Sequence, residues 1–411
     1  MNAAIRSEPE LEANHADIVR ATLPLVGAHI DEITTVFYRT LFHNHPELIR
    51  DLFNRGNQAE GSQPRALAAS IAHFATYLVD PELPHPVALL SRIGHKHASL
   101  GITADQYQVV HDNLFAAIVA VLGADVVTEP VAEAWDRVYW LMANALIDLE
   151  KELYVEAGVE PGAVFRNVTV VSRVEDVPGV TVFTVESADS ATALPEFLPG
   201  QYISVGVRLP DGARQLRQYS LVDAPGNGRL AFAVKRVEAL QERPAGEVSS
   251  WLHANLGVGD TLEITLPFGD VTVDTDATTP LVLISAGIGA TPMIGILEYL
   301  AARAPHRQVL VVHADRSPQT HPLRARLLDL GARLPESTLE IWYEEPTEGA
   351  HHGWIDLSVL DLPVDADIYL CGATEFLRAV RNQLSTAGIA DHRVHVEEFS
   401  PTDWRVGIET A

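Results

Sequence analysis

Cysteine is almost absent: Cys371 is the only one in 411 residues. An intramolecular disulfide framework is therefore excluded, and the usage fits a reducing compartment. Long apolar runs are missing too. Nowhere does the chain hold the roughly 20 consecutive apolar residues that a spanning helix needs, so no stable membrane insertion is expected. Positive charge is scarce, with 29 Lys and Arg against 55 Asp and Glu, a net charge of −26. Nucleic acid and anionic membrane surfaces would be repelled by such a chain, and the acidic excess reads as solubility. The N-terminal stretch carries Glu8, Glu10, Glu12 and Asp17 and lacks the apolar segment of a signal peptide. The expected location is the cytoplasm.

What is present is apolar bulk, 47% of the residues, in a chain too long for one ordinary core. Two or three domains of about 100–200 residues each are expected. Residues 1–155 read as helices: Ile30, Ile33, Thr34, Phe37, Tyr38, Leu41 and Phe42 recur at helical spacing. Pro46 opens a short helix ending near Phe53, 64–79 continues the pattern, Thr103 is a candidate cap for 103–122, and 131–154 is a long last helix. Six or seven such helices suggest a globin-like bundle, which can wrap a haem. A haem needs an axial ligand. His95 and His97 sit at a helix end before Gly101. Two residues along a helix is roughly 200° of rotation, so only one of the pair can face a buried iron. Either can equally be a surface or core side chain.

Breakers at Gly158, Pro161 and Gly162 mark a linker over 156–163. Strands are then expected at 164–174, 180–187, 200–208, 215–222, 230–236 and 261–266, separated by turns such as Pro178-Gly179 and Pro225-Gly226-Asn227-Gly228. Six antiparallel strands suggest a small closed barrel over 164–273. Within it stands Arg217-Gln218-Tyr219-Ser220, after Gln201-Tyr202. Alternate side chains share a strand face, so Arg217 and Tyr219 can point together. An arginine fork suits a pyrophosphate, a flat ring suits a ring system, and a serine can donate to a ring nitrogen. That set suits a flavin; alone it is equally an ordinary strand. Gly246-Glu247-Val248-Ser249 opens a helix whose N–H groups attract a pyrophosphate, or whose serines merely cap it.

From 278 to 411 strands and helices alternate, the pattern of a doubly wound parallel sheet. Its first strand runs into Gly287-Ile288-Gly289-Ala290-Thr291-Pro292. Glycines let backbone approach phosphates, and proline can open a helix. The second strand ends in His313-Ala314-Asp315-Arg316. Asp315 suits a ribose hydroxyl and Arg316 a 2′-phosphate, leaving NADH and NADPH both open. Cys371 reads as a buried thiol without a redox role.

Phe37-Tyr38, Pro46-Glu47-Leu48, Leu52-Phe53-Asn54-Arg55-Gly56-Asn57-Gln58, Lys96-His97, Gln106-Tyr107, Trp135, Tyr139, Ala143-Asn144 and Glu150 together resemble the globin half of bacterial flavohaemoglobins. The resemblance continues through Arg217–Ser220, Gly287–Pro292, Cys371-Gly372 and Glu397-Glu398-Phe399-Ser400-Pro401, and so covers essentially the whole chain. It implies a three-part protein: an all-α globin with haem b, an antiparallel β-barrel for FAD, and a ferredoxin-reductase-like α/β domain for NAD(P)H. It makes His97 the proximal iron ligand, with Tyr107 and Glu150 behind its other ring nitrogen and Lys96 beside it. Tyr38 becomes the distal hydroxyl that hydrogen-bonds dioxygen, with Gln63 and Leu67 nearby and Phe53 against the haem. Tyr202, Arg217, Gln218, Tyr219, Ser220, Gly246, Val248 and Ser249 hold the flavin, Gly287–Pro292 the nicotinamide nucleotide. Glu397 tunes the flavin, and Glu398, Phe399, Ser400 and Pro401 border it; Ser400 stands where the family usually has glycine. Residues 238–245 look like an insertion. The activity implied is nitric oxide dioxygenation by a monomer, with nitric oxide and O₂ as substrates and detoxification as the purpose. An NAD(P)H-driven reductase acting on peroxides, and a gas-binding globin or redox sensor, are the rival readings. Intact flavin and nucleotide segments disfavour the sensor.

Overall fold

The computed structural model describes residues 10–56, 62–80, 82–83, 86–189, 193–239 and 244–399. Contacts divide the chain into two compact units: Met1–Val164 with Ala213–Gln215, and Phe165–Gly212 with Leu216–Ala411. Among the described residues no helix is long and apolar enough to cross a membrane.

The first unit is helical: α1 (Ala13–Ala28), α2 (Ile30–Asn44), α3 (Pro46–Asp51), α4 (Ser62–Val79), α5 (Ser91–Leu100), α6 (Ala104–Leu122) and α7 (Glu129–Glu156). The stripe on α2 buries Ile33, Phe37, Tyr38 and Leu41 in one core with Trp135, Val138 and Leu146 of α7. Local chemistry sets the ends. Pro46 starts α3, where its missing N–H costs nothing. Gly101, at φ +73°, closes α5 in the left-handed conformation that glycine adopts freely. The Thr103 N–H donates to Gln106 Oε1 at 2.9 Å as α6 begins. Helix α1 has no counterpart in the sequence reading. Pro24 lies inside it and its apolar stripe is weak.

The second unit begins with six antiparallel strands: β1 (Phe165–Val177), β2 (Val180–Ser187), β3 (Tyr202–Arg208), β4 (Arg214–Ser220), β5 (Arg229–Lys235) and β6 (Thr261–Thr265). Their order is β4-β3-β6-β1-β2-β5, and a Leu221–Phe232 bridge joins the two edges into a barrel. Phe183, Ile203, Leu221 and Phe232 fill it. Helix α8 (Glu247–Asn255) packs on it through Val248 and Leu252.

Then follow β7 (Leu281–Ala286), α9 (Ala290–Arg303), β8 (Val309–Asp315), α10 (Arg324–Arg333), β9 (Ser337–Tyr343), β10 (His351–His352), β11 (Asp367–Gly372), α11 (Thr374–Thr386) and β12 (Val394–Glu398). All pairings are parallel, in the order β10-β9-β8-β7-β11-β12. The chain crosses from one half of the sheet to the other between β7 and β11, the switch point where doubly wound sheets bind ligands. The two-residue β10 is too short for any sequence period to reveal. Val180, Val222, Ala231 and Ala233 of the barrel share a core with Leu281, Met293, Leu297 and Val311 of the nucleotide fold, which is why contacts group the two together.

Candidate functional site

The helical unit has a triad of which two members are buried. Glycine at position 94 lets α5 approach α7 closely: a Cβ there would stand 2.4 Å from Leu149 Cδ2. One turn on from Gly94 is His97, and next to Leu149 is Glu150, so the same approach brings the two together. His97 Nδ1 lies 2.8 Å from Glu150 Oε1 and 2.9 Å from the Tyr107 hydroxyl. Tyr107 also donates to Glu150 Oε1, and its backbone carbonyl accepts from Tyr139 at 2.6 Å. Glu150 and Tyr107 are buried, whereas the His97 side chain keeps 32% of its surface. Burial, then the Glu150 charge and hydrogen bond, pushes the Tyr107 phenol far above its usual range, so it stays a donor. Both hydrogen bonds engage Nδ1, which leaves Nε2 as the nitrogen for a metal. A histidine backed by a buried carboxylate is the donor chemistry that suits haem iron.

Tyr38 is buried in an aromatic cluster: its ring lies 4.7 Å from Phe37, 5.5 Å from Phe42 and 5.9 Å from Phe53. Leu67 packs against the same core. Gln63 lies on α4, with its side chain outside the described residues. Lys96 is partly exposed, and its carbonyl accepts from Ser99 at 2.8 Å.

In the barrel, Tyr219 is partly buried, its ring 5.6 Å from Phe232, and burial raises its phenol well above the usual range. Gln218 Nε2 donates to Ser204 Oγ at 3.0 Å, and Arg217 donates to the Leu216 carbonyl at 2.6 Å. Tyr202 pairs with Phe268. Ser220 Oγ is buried with no hydrogen-bond partner among the described residues. An orphan hydroxyl is costly in a folded chain unless something else occupies it, and a flavin ring nitrogen fits that need. Ser249 is used locally: its hydroxyl accepts from Val237 N–H at 3.2 Å and lies 3.3 Å from the Gly246 carbonyl. The hydroxyl thus shapes the turn into α8, and Gly246 itself has room for no Cβ, which would meet Ser249 Oγ at 2.7 Å. Val248 is core. Of 238–245, residues 240–243 lie outside the described ones.

In the nucleotide fold, Gly287 to Gly289 form a 3₁₀ turn leading into α9, and Thr291 Oγ1 donates to the Ile288 carbonyl at 2.9 Å. A Cβ on Gly289 would lie 2.4 Å from the Cys371 carbonyl oxygen, so the loop touches the end of β11. Ala290, Thr291 and Pro292 are the first residues of α9 and all buried. Buried Cys371 sits in the core. Glu398 is buried and accepts from Thr374, Glu397 precedes it on β12, and Phe399 is half exposed. Ser400 and Pro401 lie outside the described residues.

Two features escaped the sequence reading, a histidine stack and an exposed tryptophan, whereas Asp315, beside the stack, is singled out there. His313 and His321 stack with ring centres 3.8 Å apart, both buried. Asp315, ending β8, is held by Thr320 Oγ1 at 2.5 Å and its own chain's Arg316 N–H at 2.7 Å. Burial would raise this carboxyl, but the nearby His313 and the hydrogen bonds from Thr320 and Arg316 outweigh it and keep it below the usual range. Trp354 stands exposed just past β10. Neither has a local periodic signal; the eight-residue spacing of the two histidines across β8 and its loop was the only hint.

Two family models match the chain, a globin at residues 35–146 and an oxidoreductase NAD-binding domain at 283–382. A flavohaemoprotein from Bordetella parapertussis is 39% identical over 405 residues, covering 95% of this chain and 98% of that protein. A solved flavohaemoglobin from Malassezia yamatoensis with bound FAD and haem superimposes at TM-score 0.87 with 38% identity, covering 95% of this chain and all of that one. The FAD/NAD-binding domain of a nitric oxide dioxygenase from Vibrio cholerae matches at TM-score 0.54 with 34% identity, covering 57% of this chain and 98% of the other.

Proposed function

The chain belongs to the flavohaemoprotein family, and on that premise we propose that it is an NAD(P)H-dependent nitric oxide dioxygenase, converting nitric oxide and O₂ to nitrate. The observation that carries the reading is the His97–Glu150–Tyr107 triad, with its carboxylate and phenol buried. When bound, haem b supplies the oxygen chemistry and FAD turns a hydride into single electrons. The residues supply position and charge. His97 would hold the iron through Nε2, the nitrogen its hydrogen bonds leave open. Glu150 accepts from Nδ1–H, holds the ring in one tautomer and raises its basicity, a push that favours O₂ activation over storage. Tyr107 fills the second acceptor position of Glu150 Oε1 and keeps water from it.

Tyr38 donates its hydroxyl toward the substrate, and Phe53 and Leu67 keep its surroundings apolar. In the second unit Ser220 would donate to the flavin, Tyr219 would offer its ring to it, Tyr202 and Arg217 would hold its nucleotide half, and Gln218, Gly246, Val248 and Ser249 would shape its seat. The turn at Gly287–Pro292 would take the dinucleotide phosphates, and Glu397 to Phe399 would border the flavin, Glu397 as its charged neighbour. Three functional parts follow: globin over 1–155, flavin barrel over 164–273 and nucleotide fold over 278–411. We place the protein in the cytoplasm as a monomer.

The deciding experiment is NAD(P)H-dependent nitric oxide consumption by the purified holoprotein, with and without O₂, followed to nitrate. Oxygen-dependent consumption yielding nitrate supports the proposal. Oxidation of NAD(P)H with nitric oxide left intact would replace it with the reductase reading.

A further inference from the structure

Ala213–Gln215 belong to the helical unit, and they meet it at the end of α3. Gln215 is a polar side chain only 1% exposed. Its amide nitrogen has the carbonyls of Arg50 and Phe53 at 3.1 Å each and those of Ile49 and Arg214 at 3.4 Å. Its amide oxygen accepts from the Arg55 N–H at 3.3 Å. These partners settle which end of the amide is which, because only nitrogen can face carbonyls and only oxygen can face an N–H. Beside it the Arg214 N–H donates to Asp51 Oδ1 at 3.1 Å. The bonds are of two kinds. The last carbonyls of a helix have no partner within it. That of Leu48 accepts from the N–H groups of Leu52 and Phe53 at 2.9 and 2.8 Å, while those of Ile49 and Arg50 face Gln215, a cap delivered from far along the chain. The bonds to Phe53 and Arg55 lie past the end of α3 and cap nothing. They grip the turn that carries the Phe53 ring. That ring meets Tyr38 at 5.9 Å and Phe42 at 5.3 Å, both edge to face, a geometry that a shifted ring would lose.

We propose that Gln215 is a positioning residue for the Tyr38 side of the globin core: its amide holds the turn after α3, and the Phe53 ring on that turn holds the Tyr38 ring. The proposal rests on the reading of Tyr38 as the hydroxyl that faces the substrate. The physical argument starts from what α3 lacks. It has six residues and buries none of them. A helix that short is unstable by itself, and packing does little to seat it. The hydrogen bonds from Arg214 and Gln215 therefore decide where it ends and where the chain leaves it. A hydroxyl is useful to a reaction only at the right distance and angle, and a side chain aimed by its neighbours loses that aim when their support slackens. Gln215 touches neither Tyr38 nor the substrate; it acts through the Phe53 backbone.

The test uses the full holoprotein. Gln215→Met keeps the length of the side chain and removes its donor and acceptor. Amide hydrogen exchange over residues 46–56 should quicken on the order of tenfold. The stretching band of carbon monoxide on the ferrous protein, a probe of what faces the ligand, should broaden or split. O₂ dissociation should quicken by about three- to tenfold, the effect of weakening one hydrogen bond, and the KM for O₂ should rise, while flavin reduction by NADH in stopped flow keeps its wild-type rate. Gln215→Glu keeps an acceptor for the Arg55 N–H but turns a second oxygen toward the carbonyls, so it should exceed Gln215→Met in every readout. A plain helix cap would lower the melting temperature and leave the carbon monoxide band and O₂ dissociation unmoved; that result would overturn the proposal, as would a change confined to flavin reduction. Should neither variant fold, the wild type still decides, because an Arg55 amide that exchanges at the rate of an unstructured chain would show that Gln215 holds no turn. A wild type that binds no carbon monoxide would bring down the haem reading instead, and the Arg55 exchange rate would still judge the hold on the turn.

Discussion

Nδ1 of His97 and Oε1 of Glu150 lie 2.8 Å apart across 53 residues of chain. In the proposed function this pair makes the carboxylate the tuning element of the metal ligand. Glu150→Gln keeps the volume and removes the charge. Nitric oxide turnover should fall by about 10- to 100-fold, the usual cost of losing such a partner, and the haem reduction potential should rise. An electrode assay and a spectroelectrochemical titration read the two effects; wild-type values in both would remove Glu150 from the mechanism.

Ser220 separates the needs of the empty and the loaded protein. A buried hydroxyl without a partner costs on the order of 1–3 kcal/mol, so Ser220→Ala should leave the flavin-free protein as stable or slightly more so. The same change should slow flavin reduction by NADH in stopped flow, because the flavin loses a hydrogen bond. A variant that melts lower without flavin and reduces normally with it would mark Ser220 as plain core.

The His313–His321 stack gives a pH dependence. Burial, with repulsion from His313, lowers the His321 imidazole to about 2, and burial lowers His313 as well. Unfolded histidines keep their usual affinity and take up protons below pH ~6.5, while the folded ones do not. Their contribution is therefore complete above about pH 6.5 and is lost as the pH falls toward the folded values. At pH 5 the loss reaches about 2 kcal/mol for His321. Melting curves between pH 7 and 5 should show it, and His321→Phe should flatten the slope; an unchanged slope would contradict the assignment.

Leu323 is the only non-glycine residue with positive φ among the described residues, at +59°. Its N–H donates to Asp176 Oδ2 at 2.6 Å, and its side chain is buried in the shared core. Glycine would relieve about 1–2 kcal/mol of left-handed strain but would empty a leucine site worth about 2–5 kcal/mol. Burial wins, so Leu323→Gly should destabilise. Asp176→Ala should cost about 1–3 kcal/mol by orphaning the N–H. Denaturant titrations test both signs.

Gly289→Ala presses a methyl group onto the Cys371 carbonyl, backbone that cannot swing aside. A loss of about 1–3 kcal/mol is expected, with a higher KM for NADH as the phosphate turn shifts. A variant with wild-type melting and KM would show that the turn has slack.

Periodicity made much of this fold legible. The α2 stripe from Ile33 to Leu41, the six barrel strands and the alternating nucleotide fold all declare themselves through local spacing. Helix α1 did not, because Pro24 interrupts its propensity and its apolar face is weak. The triad was legible only through family resemblance. Tyr107 and Glu150 are ordinary helix residues until Gly94 admits α5 against Leu149, and no local pattern records an approach between distant segments. His321, Leu323 and Trp354 share that character: stacking, a tied N–H and an exposed ring are all set by partners far along the chain.

Gly295 lies on α9, the helix that the phosphate turn begins, and a Cβ there would stand 2.3 Å from the carbonyl oxygen of Leu221, the neighbour of Ser220. Nucleotide helix and flavin strand are thus seated on each other with no side chain between. The missing methyl group works as a gauge block. It sets the spacing between the helix that opens within Gly287–Pro292 and the strand that ends at Ser220, and any side chain at 295 would have to push the two apart.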